Sequence, residues 1–156
     1  LDAPRGNAWE LDDEDHWDRI IDVDLNGAWR CARALVPHML ARGAGRIIFM
    51  GSVAGRRGSA SASVAYSAAK AGIHGLTMAL ARQLESGGIL VNAVAPGPTG
   101  TGEQMTEMER LQDEKASALP IVGPRPVADA CLYLAGESGD WISGTILNVS
   151  GGRWHG

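Results

Sequence analysis

Three short apolar runs alternate along this chain with stretches of helical periodicity, and this alternation limits the possible folds more than any other feature. The runs are "GRIIFMGS" (45–52), "ILVNAVAPG" (89–97) and "TILNVSGG" (145–152). Because their apolar residues do not alternate with polar ones, both faces of each strand should be covered. Strands that alternate with helices form right-handed βαβ crossovers and a parallel sheet. The sequence therefore predicts an α/β fold, a doubly wound parallel sheet with helices on both faces.

The first predicted helix is long and begins near Asp12 or Asp13, either of which can cap its acidic first turn. Apolar residues repeat at helical spacing along one of its faces. Gly27 and Pro37 lie inside the same stretch, and both residue types are associated with bends in helices. We therefore expect this helix to bend rather than run straight.

Three further helices are predicted between the strands. A Gly/Ser/Ala-rich loop to about residue 63 precedes a helix over 64–86, which the Gly87–Gly88 pair ends. A polar helix is predicted over 101–119 and another helix over 126–136. One stripe of the polar helix is apolar, and it could form either a lid over a substrate or a face that packs on the core: Met105, Met108 and Leu111.

Composition and charge exclude several classes of function. The chain has 156 residues, of which 45% are hydrophobic, and this suits one globular domain with a real core. The net charge of −4 argues against nucleic acid as the main partner, because phosphate binding needs clustered basic residues. No apolar run approaches the ~18 residues that cross a bilayer. No signal peptide is recognisable either, so we expect a cytoplasmic protein without a membrane partner.

The cysteines and histidines show no metal-binding pattern. Cys31 and Cys131 lie in separate apolar helical stretches, and we interpret both as reduced core residues. The histidines lack the spacing of metal ligands and are interpreted as structural or solvated residues. They are His16, His38, His74 and His155. We therefore expect no metal site.

Tyr66 and Lys70 are four residues apart in "YSAAKAGIHGL", although the chain contains only two tyrosines and two lysines. Residues i and i+4 share a helix face, so these side chains should be neighbours. A cation a few ångströms away favours the phenolate form of a tyrosine, which can then exchange a proton near neutral pH. Taken alone, the spacing also fits an ordinary pair on a helix surface.

The ends of two neighbouring strands add candidate ligand-binding groups. Ser52 lies where the first predicted strand ends, and the second strand ends in the turn "PGPTGT". In open α/β sheets, ligands bind at the carboxyl ends of strands, and glycine-rich turns let the backbone approach them closely. The helix with Tyr66 and Lys70 connects these strands, so the sequence predicts a single site at this edge of the sheet.

Four motifs together resemble the short-chain dehydrogenase/reductase family, in the order in which that family has them. They are "GRIIFMGSVAG", "YSAAKAGIHGLTMALARQL", "LVNAVAPGPTGT" and "WISGTILNVSGG", and the resemblance runs from about Trp17 to Gly152. It implies a Rossmann-like sheet, formed by residues 1–156 as one partial domain, and a homo-oligomer such as a dimer or tetramer. It also implies an oxidoreductase that uses NAD or NADP to interconvert a ketone and a secondary alcohol by hydride transfer.

The resemblance implies a role for each candidate residue. Tyr66 is the expected general acid/base. Lys70 is expected to favour the phenolate of Tyr66 and to hold the hydroxyls of the nicotinamide ribose. Ser52 is expected to hydrogen-bond the substrate oxygen. The remaining expected cofactor contacts would hold the carboxamide end of the nicotinamide, and they lie in the turn after the second strand: Pro96, Gly97, Thr99 and Thr101.

The sequence departs from the family at two places in the expected site. In "VDLNG", Asp24 stands where the family usually has an asparagine, and helical periodicity places Asp24 rather than Asn26 on the inward face. Asp24 could hold a water of a proton relay, where its charge would act on Lys70, or it could be an ordinary helix carboxylate. The interval from Ser52 to Tyr66 is one residue longer than is usual, and we place the extra residue in the "RRGSASAS" loop.

The glycine-rich turn that binds the cofactor pyrophosphate in this family has no counterpart in the sequence. A whole domain of this type has about 250 residues, so we expect the first strands of the fold to be missing. The residues present do not distinguish NAD from NADP. We also expect the strand "GRIIFMG" to have an open edge through which these 156 residues alone would associate or aggregate.

Two other functions fit parts of the sequence. Ser67 and Lys70 form S-x-x-K, the nucleophile motif of penicillin-binding enzymes, but the S-D-N and K-T-G motifs of that family are absent from the sequence. A chain without a pyrophosphate site could instead be a non-catalytic binding or scaffold protein, or an inactive fragment. The intact set of Ser52, Tyr66 and Lys70 favours the enzyme.

Overall fold

The computed structural model describes residues 9, 12–59, 62–100, 119 and 123–154. In these residues the three predicted strands form one parallel sheet in the order β1–β2–β3. The strands are β1 (Gly45–Met50), β2 (Ile89–Pro96) and β3 (Ile146–Val149). The register sets Phe49 opposite Ala93, and Ala93 opposite Ile146. The predicted parallel sheet is confirmed, and each strand ends one to three residues before its predicted boundary.

Helices connect the strands in the predicted order. They are α1 (Glu14–Ile21), a π-helical segment (Asp22–Asn26), α2 (Gly27–Arg42), α3 (Ala54–Arg57), α4 (Val64–Leu84) and α5 (Arg125–Ala135). The helices predicted over 64–86 and 126–136 are confirmed as α4 and α5. The helix predicted over 101–119, with its stripe of Met105, Met108 and Leu111, lies outside the described residues.

One face of the sheet packs against α2 and α4. Alternate residues of the strands point to this face, where Phe49 of β1 and Ala93 of β2 meet Ile73 of α4. Burying a side chain of the size of Phe49 or Ile73 stabilises the folded state by roughly 1.5–3 kcal/mol. The buried members of this cluster are Ala32, Phe49, Ile73, Leu80, Ala81, Ile89, Val91 and Ala93.

The opposite face of the sheet is covered by α5. Arg46 of β1 points away from the core of α2 and α4, and its guanidinium donates to the Leu134 carbonyl at 3.4 Å. The same guanidinium pairs with Asp140, just beyond α5. Leu134 itself is buried. Helices therefore lie on both faces, and the predicted doubly wound arrangement is confirmed.

The long first helix is divided by a π-helical segment. The N–H of Gly27 donates to the carbonyl of Asp22, five residues earlier, which is the hydrogen bond of a π turn. Pro37 lies inside α2, which continues as an α-helix to Arg42. The prediction that this helix bends stays a prediction, and Gly27 marks the position at which the regular helix resumes.

Two further predictions differ from the structure. The loop predicted after β1 begins with a full turn of helix, α3, because Gly55 lets this segment lie directly against the backbone of α4 at Lys70 and Ala71. Cys31 was expected in the core, but it is exposed on α2, whose inward side is formed by its neighbour Ala32. Cys131 is partly buried on α5, and both thiols are free.

The outer edge of β1 has no partner strand among the described residues, where β1 pairs with β2 alone. The prediction that this edge mediates association stays a prediction. No helix within the described ranges is both long and apolar enough to cross a membrane.

We predict that Gly55→Ala destabilises the protein by roughly 1–3 kcal/mol, the usual cost of overpacking a close contact. A Cβ at Gly55 would come within 2.5 Å of the Lys70 carbonyl carbon, which is backbone and cannot move aside. Gly75→Ala on α4 is the matched control, because a Cβ there meets nothing within 4 Å. Alanine at that position should stabilise the helix by about 0.5–1 kcal/mol. Urea denaturation of the whole protein measures both, and equal effects of the two substitutions would contradict the close packing.

Candidate active site

A cleft of about 430 Å³ lies at the carboxyl ends of β1 and β2. The first turns of α4 form one wall of the cleft and α5 forms another. Three of the predicted catalytic residues and three of the predicted cofactor contacts line it together. The lining residues are Met50, Gly51, Ser52, Tyr66, Lys70, Pro96, Gly97, Thr99, Pro124, Val127, Ala128 and Cys131.

Tyr66 and Lys70 lie one turn apart on α4, as the sequence predicts. The Lys70 Nζ is 5.5 Å from the centroid of the Tyr66 ring. The lysine side chain is only 10% exposed, and a buried ammonium group is costly unless acceptors surround it. Its Nζ donates to the Met50 carbonyl at 3.2 Å, at the end of β1. The ammonium group is therefore held next to the phenol ring and at the edge of the sheet.

Asp24 is the ionic partner of Lys70. Its Oδ1 lies 2.9 Å from the Lys70 Nζ, and its side chain is 24% exposed. Asp24 is the middle residue of the π-helical segment, which packs against α4 through Leu25 and Gly72. Asn26 faces elsewhere, since its amide donates to the Asp22 Oδ1 at 3.2 Å on the surface. The predicted inward placement of Asp24 agrees with the structure, while its role in a proton relay stays a prediction.

Ser52 follows β1 and is 9% exposed. Its Oγ accepts a hydrogen bond from the Ala54 N–H at 3.1 Å, which fixes the direction of the side chain. The contact uses an oxygen lone pair, so the hydroxyl hydrogen can still be donated to a ligand. The backbone here continues beside β2, with the Val53 N–H donating to the Pro96 carbonyl at 3.0 Å. Ser52 is thereby fixed relative to the turn that follows β2.

The turn after β2 is held against the end of β3. The Gly97 N–H donates to the Val149 carbonyl at 3.0 Å, and a Cβ at Gly97 would come within 2.9 Å of Ser150 backbone atoms. The Thr99 Oγ1 donates to the Gly97 carbonyl at 3.1 Å. The turn therefore presents main chain to the cleft. Thr101, the last predicted cofactor contact, lies outside the described residues.

The sequence did not point to the wall that α5 adds to the cleft. Val127, Ala128 and Cys131 line it together with Met50 of β1. Partial burial raises the pKa of the Cys131 thiol. Helical periodicity marks these residues as one inward face but does not indicate which end of the sheet that face meets. No group of three potential metal ligands occurs in the ranges that the structure describes.

His74 lies below the cleft, one helical turn after Lys70. It is 7% exposed, and its Nε2 has no hydrogen-bond partner among the described residues. Burial lowers the pKa of His74, and the charges of Arg56 and Lys70 lower it further. The imidazole is therefore neutral at neutral pH. This agrees with the interpretation of His74 as a structural residue.

The known proteins that match this chain in sequence include related reductases. Residues 3–153 match the family model described as enoyl-(acyl carrier protein) reductase. The acetoacetyl-CoA reductase of Allochromatium vinosum is 36% identical over 151 residues, which are 95% of this chain and 61% of that protein. The 3-oxoacyl-(acyl-carrier-protein) reductase FabG of Vibrio harveyi is 38% identical over 147 residues, which are 90% of this chain and 59% of that protein.

Solved structures give the same result. A 3-oxoacyl-(acyl-carrier protein) reductase from Brucella melitensis matches with a TM-score of 0.89 and 30% identity, covering 98% of this chain and 60% of that chain. A second structure of such a reductase from Brucella melitensis, with bound NAD, gives a TM-score of 0.87 and 31% identity over 98% of this chain and 59% of that chain. The chain thus spans about 60% of the length of the relatives it matches.

We predict that His74→Gln makes the protein less sensitive to acid. Because the pKa of His74 is lowered in the folded state, the unfolded chain binds a proton more readily below about pH 6.5. The stability that the neutral imidazole contributes is therefore present above about pH 6.5 and is lost as the pH falls below that value towards the pKa of the folded state. Urea denaturation at about pH 7.5 and about pH 5.5 should show a smaller loss in His74→Gln than in the wild type.

His38, which is exposed on α2, provides the control. His38→Gln should lose as much stability between the two pH values as the wild type does. If the wild type and His74→Gln lose equal amounts of stability between the two pH values, the assignment of His74 as a buried neutral imidazole is wrong.

Proposed function

Because the chain belongs to the short-chain dehydrogenase/reductase family, we propose that the whole protein is an NAD- or NADP-dependent oxidoreductase that interconverts a ketone and a secondary alcohol. The observation that carries the proposal is the grouping of Ser52, Tyr66 and Lys70 around one cleft at the carboxyl end of the sheet. A surface Tyr–Lys pair, the ordinary alternative, would not be buried against a strand end and a second helix.

The residues of the cleft fit the nicotinamide end of a dinucleotide. The Pro96 and Gly97 carbonyls each accept one hydrogen bond within the fold, so each keeps a second lone pair for the N–H of a carboxamide, and β3 holds the turn at a fixed position. An ammonium group has three N–H donors, and Asp24 and Met50 account for two of those of Lys70. The third is available for ribose hydroxyls or the Tyr66 oxygen. The nicotinamide, when bound, supplies or accepts the hydride.

The proton is the part of the reaction that this chain's own residues handle. Tyr66 donates it to the carbonyl oxygen during reduction and removes it from the alcohol during oxidation. Ser52 donates a hydrogen bond to the same oxygen, which stabilises the charge that develops there. The Lys70 ammonium group lies beside the Tyr66 ring, and the Asp24 carboxylate partly neutralises its charge.

Relatives at similar identity have names that refer to different substrates, among them an acetoacetyl-CoA reductase and a cis-4-hydroxycyclohexanecarboxylate dehydrogenase. These two names, and that of the 3-oxoacyl-(acyl-carrier-protein) reductase, describe a ketone or a secondary alcohol, which supports the reaction type for this chain. The expected homo-oligomer and the cytoplasmic location stay predictions, and the proposal includes both NAD and NADP as cofactors.

Tyr66→Phe tests the proposed acid/base. The substitution removes one hydroxyl and no packing, so the whole protein should fold normally, bind NADH or NADPH and lose at least about 100-fold in turnover, the usual contribution of a positioned acid/base. Tyr133→Phe is the control, because Tyr133 is the only other tyrosine of the chain and lies half-exposed on α5. Turnover is measured by the absorbance of the reduced cofactor over a panel of ketones. Retention of most of the turnover in Tyr66→Phe would overturn the assignment.

Asp24→Asn tests the carboxylate beside Lys70. Without the negative charge of Asp24, the charge of the Lys70 ammonium group acts uncompensated on the proposed proton donor beside it. The alkaline limb of the pH–rate profile should move to lower pH, with turnover at the optimum within about threefold of the wild type.

Asp22→Asn is the matched control for this experiment. Asp22 lies two residues before Asp24 in the same π-helical segment, and its exposed carboxylate pairs with Arg30 instead of Lys70. It should leave the alkaline limb in place. An unchanged profile in Asp24→Asn would favour the interpretation of Asp24 as an ordinary helix carboxylate.

A further inference from the structure

Asp12 contacts the start of α4 from a segment that lies more than fifty residues earlier in the chain. Its Oδ2 accepts hydrogen bonds from the backbone N–H groups of Val64 at 2.6 Å and Ala65 at 3.1 Å. Sequence reasoning expected Asp12 or Asp13 to cap the first helix. Asp13 does so, with its Oδ1 accepting from the His16 N–H at 2.8 Å. The adjacent carboxylates therefore serve two different helices.

The first turn of α4 has its own local cap, so Asp12 adds a second attachment. The Ser63 Oγ accepts from the Tyr66 N–H at 3.0 Å, as an N-cap residue does. Asp12 takes the two remaining N–H groups of the turn, which no residue of α4 can satisfy. The turn that contains Tyr66 is thereby fastened both within α4 and to the segment that begins α1.

The burial of Asp12 indicates a specific interaction rather than a surface contact. Its side chain is 6% exposed, and a carboxylate removed from water is costly unless hydrogen bonds and positive charge compensate it. The compensation here is the positive end of α4 and the two hydrogen bonds to the Oδ2. The Nε2 of His16 lies 3.4 Å from the Asp12 Oδ1, and this contact is an ion pair only when the imidazole is protonated. The Oδ1 makes no hydrogen bond within the described residues.

The side chain of Tyr66 is held on the same side of α4. Ile20 of α1 packs with Ala65 and Ala69 of α4, and the tyrosine lies against this small cluster. Lys70 does not depend on this contact, because Asp24 and Met50 hold its ammonium group independently. The position of the first turn, with Tyr66 in it, is therefore the part of the site that Asp12 controls.

We infer that Asp12 is a positioning residue for the proposed acid/base, acting through the first turn of α4 on Tyr66 and leaving Lys70 in place. The inference rests on the proposed oxidoreductase function. Tyr66 and Lys70 lie on the same helix but should respond differently. Loss of the Asp12 contact should reduce proton transfer by Tyr66 much more than cofactor binding by Lys70. A displacement of about an ångström in a catalytic group can lower a rate by up to about 100-fold.

The test compares Asp12→Ala, Asp12→Asn and Asp13→Ala in the whole protein. Asp12→Ala should lower kcat about tenfold or more while changing KM for NADH or NADPH less than about twofold. Asp12→Asn keeps an acceptor for both N–H groups and should restore most of the turnover. Asp13→Ala removes a cap of the same kind from α1 alone, so it should lower stability without a comparable fall in kcat. If Asp12→Ala does not fold, Asp12→Val, which fills the buried site without an acceptor, replaces it.

Amide hydrogen exchange measured by NMR provides a readout that does not need activity. The Val64 and Ala65 amides should be protected in the wild type and in Asp12→Asn, and should exchange faster in Asp12→Ala but not in Asp13→Ala. Unprotected amides in the wild type would overturn the Asp12 contact itself. Faster exchange with unchanged kcat would overturn the positioning role and leave the proposed function intact. If the wild type and Tyr66→Phe have equal turnover, the proposed acid/base fails, and the positioning role fails with it.

Discussion

The buried ammonium group of Lys70 is the charge on which the rest of the site depends. An ammonium removed from water is stable only where opposite charge and hydrogen-bond acceptors replace its hydration. In this structure they come from two different layers, the Asp24 carboxylate in the π-helical segment and the Met50 carbonyl at the end of β1. Lys70 therefore connects the helical layer to the sheet. Either acceptor, if removed, would leave the ammonium group buried and insufficiently compensated.

The π-helical segment places the Asp24 carboxylate next to the Lys70 ammonium group. A π turn contains one more residue than a regular turn and so changes the direction of the side chains that follow. Asp24 lies in the middle of the segment, and the next residue, Leu25, packs so closely on α4 that a Cβ at Gly72 would come within 2.8 Å of it. The absence of a side chain at Gly72 is thus what lets the segment approach α4 closely enough for the ion pair.

Local sequence patterns predict the parts of this structure that depend on local chemistry. The parallel strands, the extent of α4, the Tyr66–Lys70 pair and the inward side of Asp24 all follow from periodicity and spacing. Contacts between distant segments could not be predicted in this way. Capping rules consider only residues within one turn, so they do not indicate that Asp12 caps α4. The apolar stretch around Cys31 likewise indicated a core residue, because local composition cannot show how narrow the covered stripe of α2 is.

The candidate site joins two bodies, the helical segment with α4 and the sheet, and both side-chain and main-chain contacts hold them together. Asp12 and Asp24 attach Tyr66 and Lys70 to the helical segment that precedes β1. Ser52 and the turn after β2 belong to the sheet. A proton donor must stay within hydrogen-bond reach of the oxygen it serves, so these two bodies must keep a fixed separation. The contacts between them include the apolar packing of Ile73 on Phe49 and Ala93. They also include the hydrogen bond from the Lys70 Nζ to the Met50 carbonyl and the close approach of Gly55 to the backbone of α4. The geometry of proton transfer is therefore set by the packing of α4 on the sheet, while Asp12 and Asp24 are side chains of the single segment that precedes β1.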